Sequence, residues 1–284
     1  MGNRSMRFLA GIVLYNPDIN RLKDNIGAIY TQVETVVFVN NGSENFDTVK
    51  SLLTAYPNTV TIDNGANLGI ATALKQIMDY GMHNGYDWVL TLDQDSVCQP
   101  NLIQTYAGFC ELDKAGILTC NIVDRNFSVA NGFKPGERYR EVRQCITSAS
   151  LISTQAYRKT DGFDEKLFID SVDFDICINM RIHGFKIFKI NFDGILHEVG
   201  HGKNVKLLLK DYVSYNHSPF RQYYMARNHK YLVKKYPDQF SRVKEWIREI
   251  REEVIILFYE DRKMQKLKSR WKGLREADAL LIQE

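Results

Sequence analysis

The chain is 284 residues long, with 37 Lys and Arg against 34 Asp and Glu, and 44% of its residues are hydrophobic. A charged fraction of 25% beside 12% aromatics builds a proper core and excludes a disordered chain; 18 Gly and 6 Pro exclude collagen-like and low-complexity readings. Five cysteines, without a C-x-x-C pair, read as reduced and mostly buried thiols of a cytosolic protein. The N-terminus lacks a myristoylation pattern, and the apolar run Phe8 to Tyr15 is short and has no cleavage site after it. No run approaches the ~18 apolar residues that span a membrane. The expectation is a soluble or peripheral protein that is not secreted.

Strand and helix signals alternate over the first 120 residues. Phe8 to Tyr15 reads as a strand, after which Asn16-Pro17 caps and opens a helix with Leu22, Ile26, Ile29 and Val33 at helical spacing. Val36 to Val39 is a second strand ending in the turn Asn40-Asn41-Gly42-Ser43, followed by a helix carrying Phe46, Val49, Leu52 and Leu53. Val60 to Ile62 is a third strand, and Asn64 to Gly69 breaks the chain before a helix from Ala71 to Tyr80. Trp88 to Leu92 is a fourth strand running into Asp93-Gln94-Asp95-Ser96; Pro100 opens another helix, and Ile117 to Ile122 is a fifth strand. Such alternation means β-α-β units and a mostly parallel sheet covered on both faces. Ligands sit at the carboxyl ends of strands in these sheets, which singles out Asn16, Asn40, Asn41, Asp93 and Asp95.

Beyond Ile122 the pattern loosens. Asp124 to Arg143 reads as a polar surface excursion, Cys145 to Ser153 returns to strand character, and a second acidic cluster runs from Asp161 to Asp175. From Tyr231 the chain is helical, with Trp246, Ile250, Val254, Leu257 and Phe258 expected to pack on the core, or with their basic neighbours to face a membrane. No internal repeat is seen. The net charge of +3 hides a block from Lys203 to Lys235 with eight Lys/Arg and one acid, Asp211, which points to an anionic partner.

Three constellations can carry chemistry. Asp93-Gln94-Asp95 places two carboxylates just past a buried strand, where they suit a hard divalent cation held against a diphosphate. Asp170 and Asp173 would be neighbours near a helix start, either favoured there by the helix dipole or serving as a general base. His197-Glu198-Val199-Gly200-His201 has the literal spacing of a zinc protease, but its glycines make a poor helix. A single His completing a metal site begun by Asp95 is the more economical reading.

In order, Tyr15-Asn16-Pro17, Asn40-Asn41-Gly42-Ser43, Asn67-Leu68-Gly69 and Asp93-Gln94-Asp95-Ser96 resemble a family-2 inverting glycosyltransferase of GT-A fold. The stretch Gly162-Phe163-Asp164-Glu165 through Asp173-Phe174-Asp175 matches that family's acceptor-side acidic segment. Phe168-Ile169-Asp170-x-Val172-Asp173, His197-x-x-Gly200 and the run from His217 to Asn228 are similar to bacterial rhamnosyltransferases. The resemblance implies that Tyr15, Asn16, Asn40 and Asn41 line the nucleotide base, with Asn67 nearby. It makes Asp93 face the ribose and the metal, Asp95 and His197 metal ligands, and Asp173 the base, with Asp170 as the fallback. Arg221 and Arg227 would face the diphosphate or a lipid-linked acceptor. Many relatives carry an acid where Asn40 or Asn41 stands here, although an amide still accepts a hydrogen bond from a pyrimidine N–H.

The implied enzyme is a GT-A domain over residues 1–230, with its nucleotide-sugar half to about 122 and its acceptor half from 123, followed by a helical extension over 231–284. It would use Mn²⁺ or Mg²⁺ to transfer L-rhamnose from dTDP-β-L-rhamnose to a lipid-linked saccharide at the inner face of a bacterial membrane. A UDP-hexose donor, a catalytically silent binding homologue and, least of all, a nucleic-acid binder are the rivals.

Overall fold

Residues 5–124, 132–197, 203–207 and 210–281 are described by a computed structural model. Only the backbone is described for Asp124, His197, Lys203–Leu207 and Lys210. The first half alternates β1 (Phe8–Leu14), α1 (Ile19–Ile29), β2 (Thr35–Asn40), α2 (Phe46–Leu53), β3 (Thr59–Asp63), α3 (Ile70–His83) and β4 (Trp88–Asp93). These four strands pair in parallel in the order β3-β2-β1-β4. Most apolar residues of β1, β2 and β4 are buried because helices cover the sheet: Leu22 and Ile26 of α1, Val49 of α2 and Ile77 of α3 are fully inside. Burying each such side chain contributes about 1.5–3 kcal/mol.

The second part of the sheet is mixed. It adds β5 (Val97–Cys98), α4 (Leu102–Ala107), β6 (Ala115–Asp124), β7 (Tyr139–Val142), β8 (Ser150–Ser153), α5 (Thr154–Tyr157), α6 (Val172–Ile182) and β9 (Lys186–His197). The path continues β4-β8-β6-β9-β5, with β7 on β9; β6 and β9 are parallel and the other pairs antiparallel. β7 lies inside the stretch expected to be a surface excursion. Its half-exposed Tyr139 to Val142 gain strand geometry only by pairing with Lys189 and its neighbours, contacts that no local pattern reveals. The strand character of Cys145 to Ser153 narrows to Ser150–Ser153. Among the described residues all five cysteines are free thiols.

The remaining elements are the hairpin β10 (Lys203–Leu207) and β11 (Lys210–Ser214), then α7 (Pro219–Lys235), α8 (Arg242–Tyr259) and α9 (Lys263–Glu276). The chain falls into two compact units, Met1–Glu165 with Asp173–Glu198, and Lys166–Val172 with Val199–Glu284. The division expected at residue 230 falls inside α7, a continuous helix capped by the Ser218 hydroxyl, which accepts from Arg221 N–H. In the second unit α7 and α9 cross so closely that a Cβ on Gly273 would collide with the Tyr223 carbonyl oxygen. Ile255 and Ile256 of α8 are buried, but most of the apolar residues expected to pack on the core do not. Trp246, Ile250, Leu257 and Phe258 are exposed.

Candidate active site

The carboxyl ends of the parallel strands carry a connected hydrogen-bond system. Asn16 is not the cap of α1; that is Asp18, whose Oδ1 accepts from Asn20 and Arg21 N–H. Asn16 instead adopts a left-handed conformation at φ 47° after β1. Its N–H donates to Ser43 Oγ (3.0 Å), and its Oδ1 accepts from Glu44 N–H (2.7 Å), so the loops after β1 and β2 hold each other. Gly42 is required there: at φ 81°, a Cβ would lie 2.8 Å from the Ala66 backbone.

Asn40 and Asn41 are buried, and their amides serve the scaffold. Asn40 Nδ2 donates to Asp63 Oδ1 (2.8 Å) while its Oδ1 accepts from Ser43 N–H. Asn41 Nδ2 donates to Asn67 Oδ1 and Gly69 O, and its Oδ1 accepts from Leu68 N–H and Asn64 Nδ2. The two asparagines thus tie the ends of β2 and β3 to the start of α3, where the expectation had them line a base. The carboxylate at this spot is Asp63, exposed at the end of β3. Its pKa is lowered by the Asn40 amide and then the Gly65 N–H, so it stays ionised. The rule that selects strand ends would have found it; the expected third strand stopped one residue short.

Asp93 and Asp95 follow β4, half-buried in a turn. Asn25 of α1, completely buried, clasps the turn from behind: its Nδ2 donates to Asp93 O (2.8 Å) and Ser96 O (2.5 Å). Gln94 faces the other way and binds the Tyr15 backbone twice, accepting from its N–H (2.8 Å) and donating to its carbonyl (3.2 Å). The Tyr15 backbone is therefore fixed to the aspartate turn, with its ring exposed. Neither Asn25 nor Gln94 stands out in the sequence, because each acts across 68 to 79 residues of separation.

The dipeptide Thr147-Ser148 joins this turn to the second acidic cluster. Ser148 Oγ is hydrogen-bonded with Ser96 Oγ (2.9 Å) and approached by Asp93 N–H (3.4 Å). Thr147 N–H donates to Asp173 Oδ1 (2.8 Å) in the first turn of α6. Ala149 follows at φ 58°, fully buried, its carbonyl accepting from Tyr106. A non-glycine residue in that conformation stores strain of the kind found at functional sites.

Asp170 does not share a helical face with Asp173. It precedes α6 at φ 65° and lies in the second unit. There Arg221 grips both its oxygens (2.6 and 3.4 Å), and Asn228 Nδ2 donates to the Ile169 and Asp170 carbonyls. Arg227 binds the Lys166 carbonyl and lies over the Tyr224 ring. Both arginines thus secure the Lys166–Asp170 segment; the expectation had them face the diphosphate or a lipid-linked acceptor.

Two aspartates on one turn offer oxygen donors of the type a hard divalent cation takes. Among the described residues no group of three potential ligands is assembled. The side chain of His197 lies outside them, as do residues 198–202. Its backbone closes β9, whose ladder pairs Leu196 with Val97, so the next position sets His197 beside Ser96 at the aspartate turn.

The profile of Glycosyl transferase family 2 matches residues 11–172, which hold β1 through the aspartate turn and the approach to α6. The chain belongs to that family. It is a glycosyltransferase, and its sheet and flanking helices are of GT-A type. It is 29% identical over 240 residues to "dTDP-rhamnosyl transferase RfbF" of Shigella flexneri, covering 80% of this glycosyltransferase and 79% of that protein. In structure it is similar to S. aureus TarS, with a TM-score of 0.60 at 12% identity over 95% of this chain. It is also similar to GalNAc-T7, solved with UDP, GalNAc and Mn²⁺, with a TM-score of 0.63 at 12% identity over 99% of this chain. The chain spans 55% of the length of TarS and 57% of that of GalNAc-T7.

Proposed function

We propose that this glycosyltransferase transfers L-rhamnose, with inversion, from dTDP-β-L-rhamnose to a lipid-linked saccharide of a bacterial surface polysaccharide. The observation that carries the chemistry is the Thr147-Ser148 dipeptide, which sets the Asp93–Asp95 turn and Asp173 on either side of two adjacent residues. One carboxylate pair serves the diphosphate side and a separate carboxylate serves the acceptor side. The donor assignment is supported by the likeness to the Shigella dTDP-rhamnosyl transferase.

Each residue then has a task. Tyr15 offers its exposed ring to the base, and Asp63 accepts the pyrimidine N3–H. Asp95, with Asp93 and His197, would hold a Mn²⁺ or Mg²⁺ ion, which would supply positive charge against that of a departing diphosphate. Asp173 takes the proton of the acceptor hydroxyl as that oxygen forms its bond to C1. The C1–oxygen bond to dTDP breaks on the opposite face, so no covalent enzyme intermediate forms. Asp170 is engaged in an ion pair with Arg221, and Asp173 is the base we favour.

Donor hydrolysis across dTDP-rhamnose, UDP-glucose and UDP-N-acetylglucosamine tests this assignment. Faster turnover of dTDP-rhamnose, lost with EDTA and restored by Mn²⁺ or Mg²⁺, is expected. A clear preference for a UDP sugar would give the donor to the rival reading, and full activity in excess EDTA would remove the metal. A lipid-linked acceptor calls for a protein at the inner membrane face, and the Lys203 to Lys235 block supports an anionic surface there. Among the described residues no helix is long and apolar enough to cross a membrane.

A further inference from the structure

Helix α8 is turned inside out. At about 100° per residue, Val243, Trp246, Ile247, Ile250, Val254, Leu257 and Phe258 form one stripe about 120° wide. Six of the seven are exposed, Phe258 at 71% and Trp246 at 67%, and Val254 is half-buried. The opposite face turns inward, charged over its first three turns and closed by buried Ile255 and Ile256 near its end. Glu245 meets His229 at 2.6 Å, Glu249 is bound to Arg270, and burial lowers the pKa of Arg248 among these acids. An amphipathic helix normally buries its apolar face against its own domain, so this stripe needs something else to cover it.

The charges at its borders decide what. Lys244 and Arg251 line one edge of the stripe. Across the other edge lies α9, where Trp271 donates to Glu253 Oε1 (2.7 Å) and extends the apolar surface. Met264 continues it, at 57% exposure, and exposed Lys268 and Arg275 share that face of α9. The patch is therefore apolar and aromatic, with Lys244 and Arg251 along one edge and further cations among its α9 residues. A second copy of the chain, paired face to face about a two-fold axis, would bring cationic edges against cationic edges. An anionic lipid surface takes both features at once, the stripe entering the acyl boundary and the cations meeting headgroups.

We infer that the outward face of α8, with Trp271 and Met264 of α9, is the element by which this enzyme seats itself on an anionic membrane. The inference deepens the membrane-bound acceptor of the proposed function and rests on that reading. It differs in placing the contact on α8 and α9 rather than on the Lys203 to Lys235 block.

The test uses the full chain and vesicles of phosphatidylcholine, alone or mixed with phosphatidylglycerol. Sedimentation is expected to show binding to the mixed vesicles that weakens with salt. Ile247→Glu and Phe258→Glu, both at exposed positions, should each reduce partitioning about tenfold or more while circular dichroism stays unchanged. Trp271→Phe leaves only exposed Trp246 and buried Trp88. Its emission should move to the blue on mixed vesicles, and adding Trp246→Phe should abolish the shift. Equal binding to both vesicle types, or unchanged partitioning in the two glutamate variants, would overturn the inference. So would absence of vesicle binding, whether the protein is a monomer or a dimer that Ile247→Glu dissociates. Donor hydrolysis without vesicles reads the glycosyltransferase assignment separately, so failure of one is distinguishable from failure of the other.

Discussion

The two compact units solve the burial problem in opposite ways. In the first, aliphatic side chains fill the interior and polar groups gather at the ends of β1 to β4, where Asn40, Asn41, Asp63, Asp93 and Asp95 meet. In the second, Lys266 and Arg270 are almost wholly buried, beside Glu260 and Gln222, while tryptophan, isoleucine and phenylalanine of α8 face out. Buried ion pairs are poor sources of stability, because desolvation offsets most of their attraction. Using them inside frees the apolar residues for the surface. The first unit is thus built to hold a site, and the second to present a face.

If that contrast holds, changes at the site of the first unit alter turnover and leave the fold intact. Asp173→Asn keeps the size and the hydrogen bond from Thr147 but cannot take a proton. Turnover should fall about 10²–10⁴-fold, the usual weight of general base catalysis. Donor affinity, measured by calorimetry, and melting temperature should hardly move. Near-normal turnover here, with the loss appearing in Asp170→Asn instead, would move the base to the other unit and break the contrast.

The second unit should respond in the opposite manner. Lys266 Nζ donates to Glu260 Oε2 (2.8 Å) and Asn216 Oδ1 (2.5 Å), and Glu260 Oε1 accepts from Ser214 (2.7 Å). Lys266→Met strands a buried carboxylate, which costs about 3–5 kcal/mol. Chemical denaturation should register that loss, and Lys266→Met with Glu260→Leu should recover most of it. A stability unchanged by Lys266→Met would mean that this interior is open to water.

The sequence made the frame of the first unit readable because hydrophobic periodicity and strand-end rules are local. Strand positions, the Asp93–Asp95 turn and Asp173 could all be located from nearby residues. What escaped was set by distance. Asn25 looks like a polar residue on an amphipathic helix until the fold brings it 2.8 Å from the Asp93 carbonyl. The stripe from Trp246 to Phe258 was legible as a stripe, but periodicity does not say which way a helix faces. That direction depends on where Arg270 and His229 lie, on helices α9 and α7 at 21 and 16 residues from their α8 partners. Asn40 and Asn41 show the same limit: a strand-end amide can face a ligand or a neighbouring loop, and here the loops take them.

Asn25 therefore gives an intermediate test. Replacing it with Leu leaves two buried carbonyls without their donor, at about 1–3 kcal/mol for each unsatisfied group. Both bonds shape the aspartate turn, so donor KM should rise more than kcat falls, alongside a lower melting temperature. A loss of stability with unchanged donor KM would make Asn25 a core residue only. Asp63→Asn should have a smaller effect. It removes the charged acceptor proposed for the pyrimidine N3–H, and a hydrogen bond to a charged group contributes about 1.5–3 kcal/mol. The dTDP affinity should fall about tenfold, with the same loss for UDP, since both bases carry that N–H. Unchanged affinity would return the base contact to the asparagines.

The smallest effect concerns pH and the interior of the second unit. His229 is buried beside Arg248, and burial, then the Arg248 charge, holds its pKa below the usual 6.5 despite the Glu245 and Glu249 carboxylates nearby. At neutral pH the imidazole is uncharged and its Nε2–H donates to Glu245 Oε2. His217 is lowered as well, by burial and then Arg221. Once the pH falls through 6.5, the unfolded chain takes up protons that these folded-state histidines do not, so folding loses stability as the medium becomes more acidic. Above 6.5 the contribution is fully present. The depressed carboxylates Asp63, Glu137 and Asp278 act in a separate window, below their ordinary values of 3.8 to 4.5. Denaturation midpoints taken between neutral pH and pH values just above that range should slope downward. His229→Gln, which keeps a donor to Glu245 but cannot be protonated, should make the slope shallower. An unchanged slope in His229→Gln would mean that this histidine titrates normally, and that the second unit's charged interior is wetter than its burial suggests.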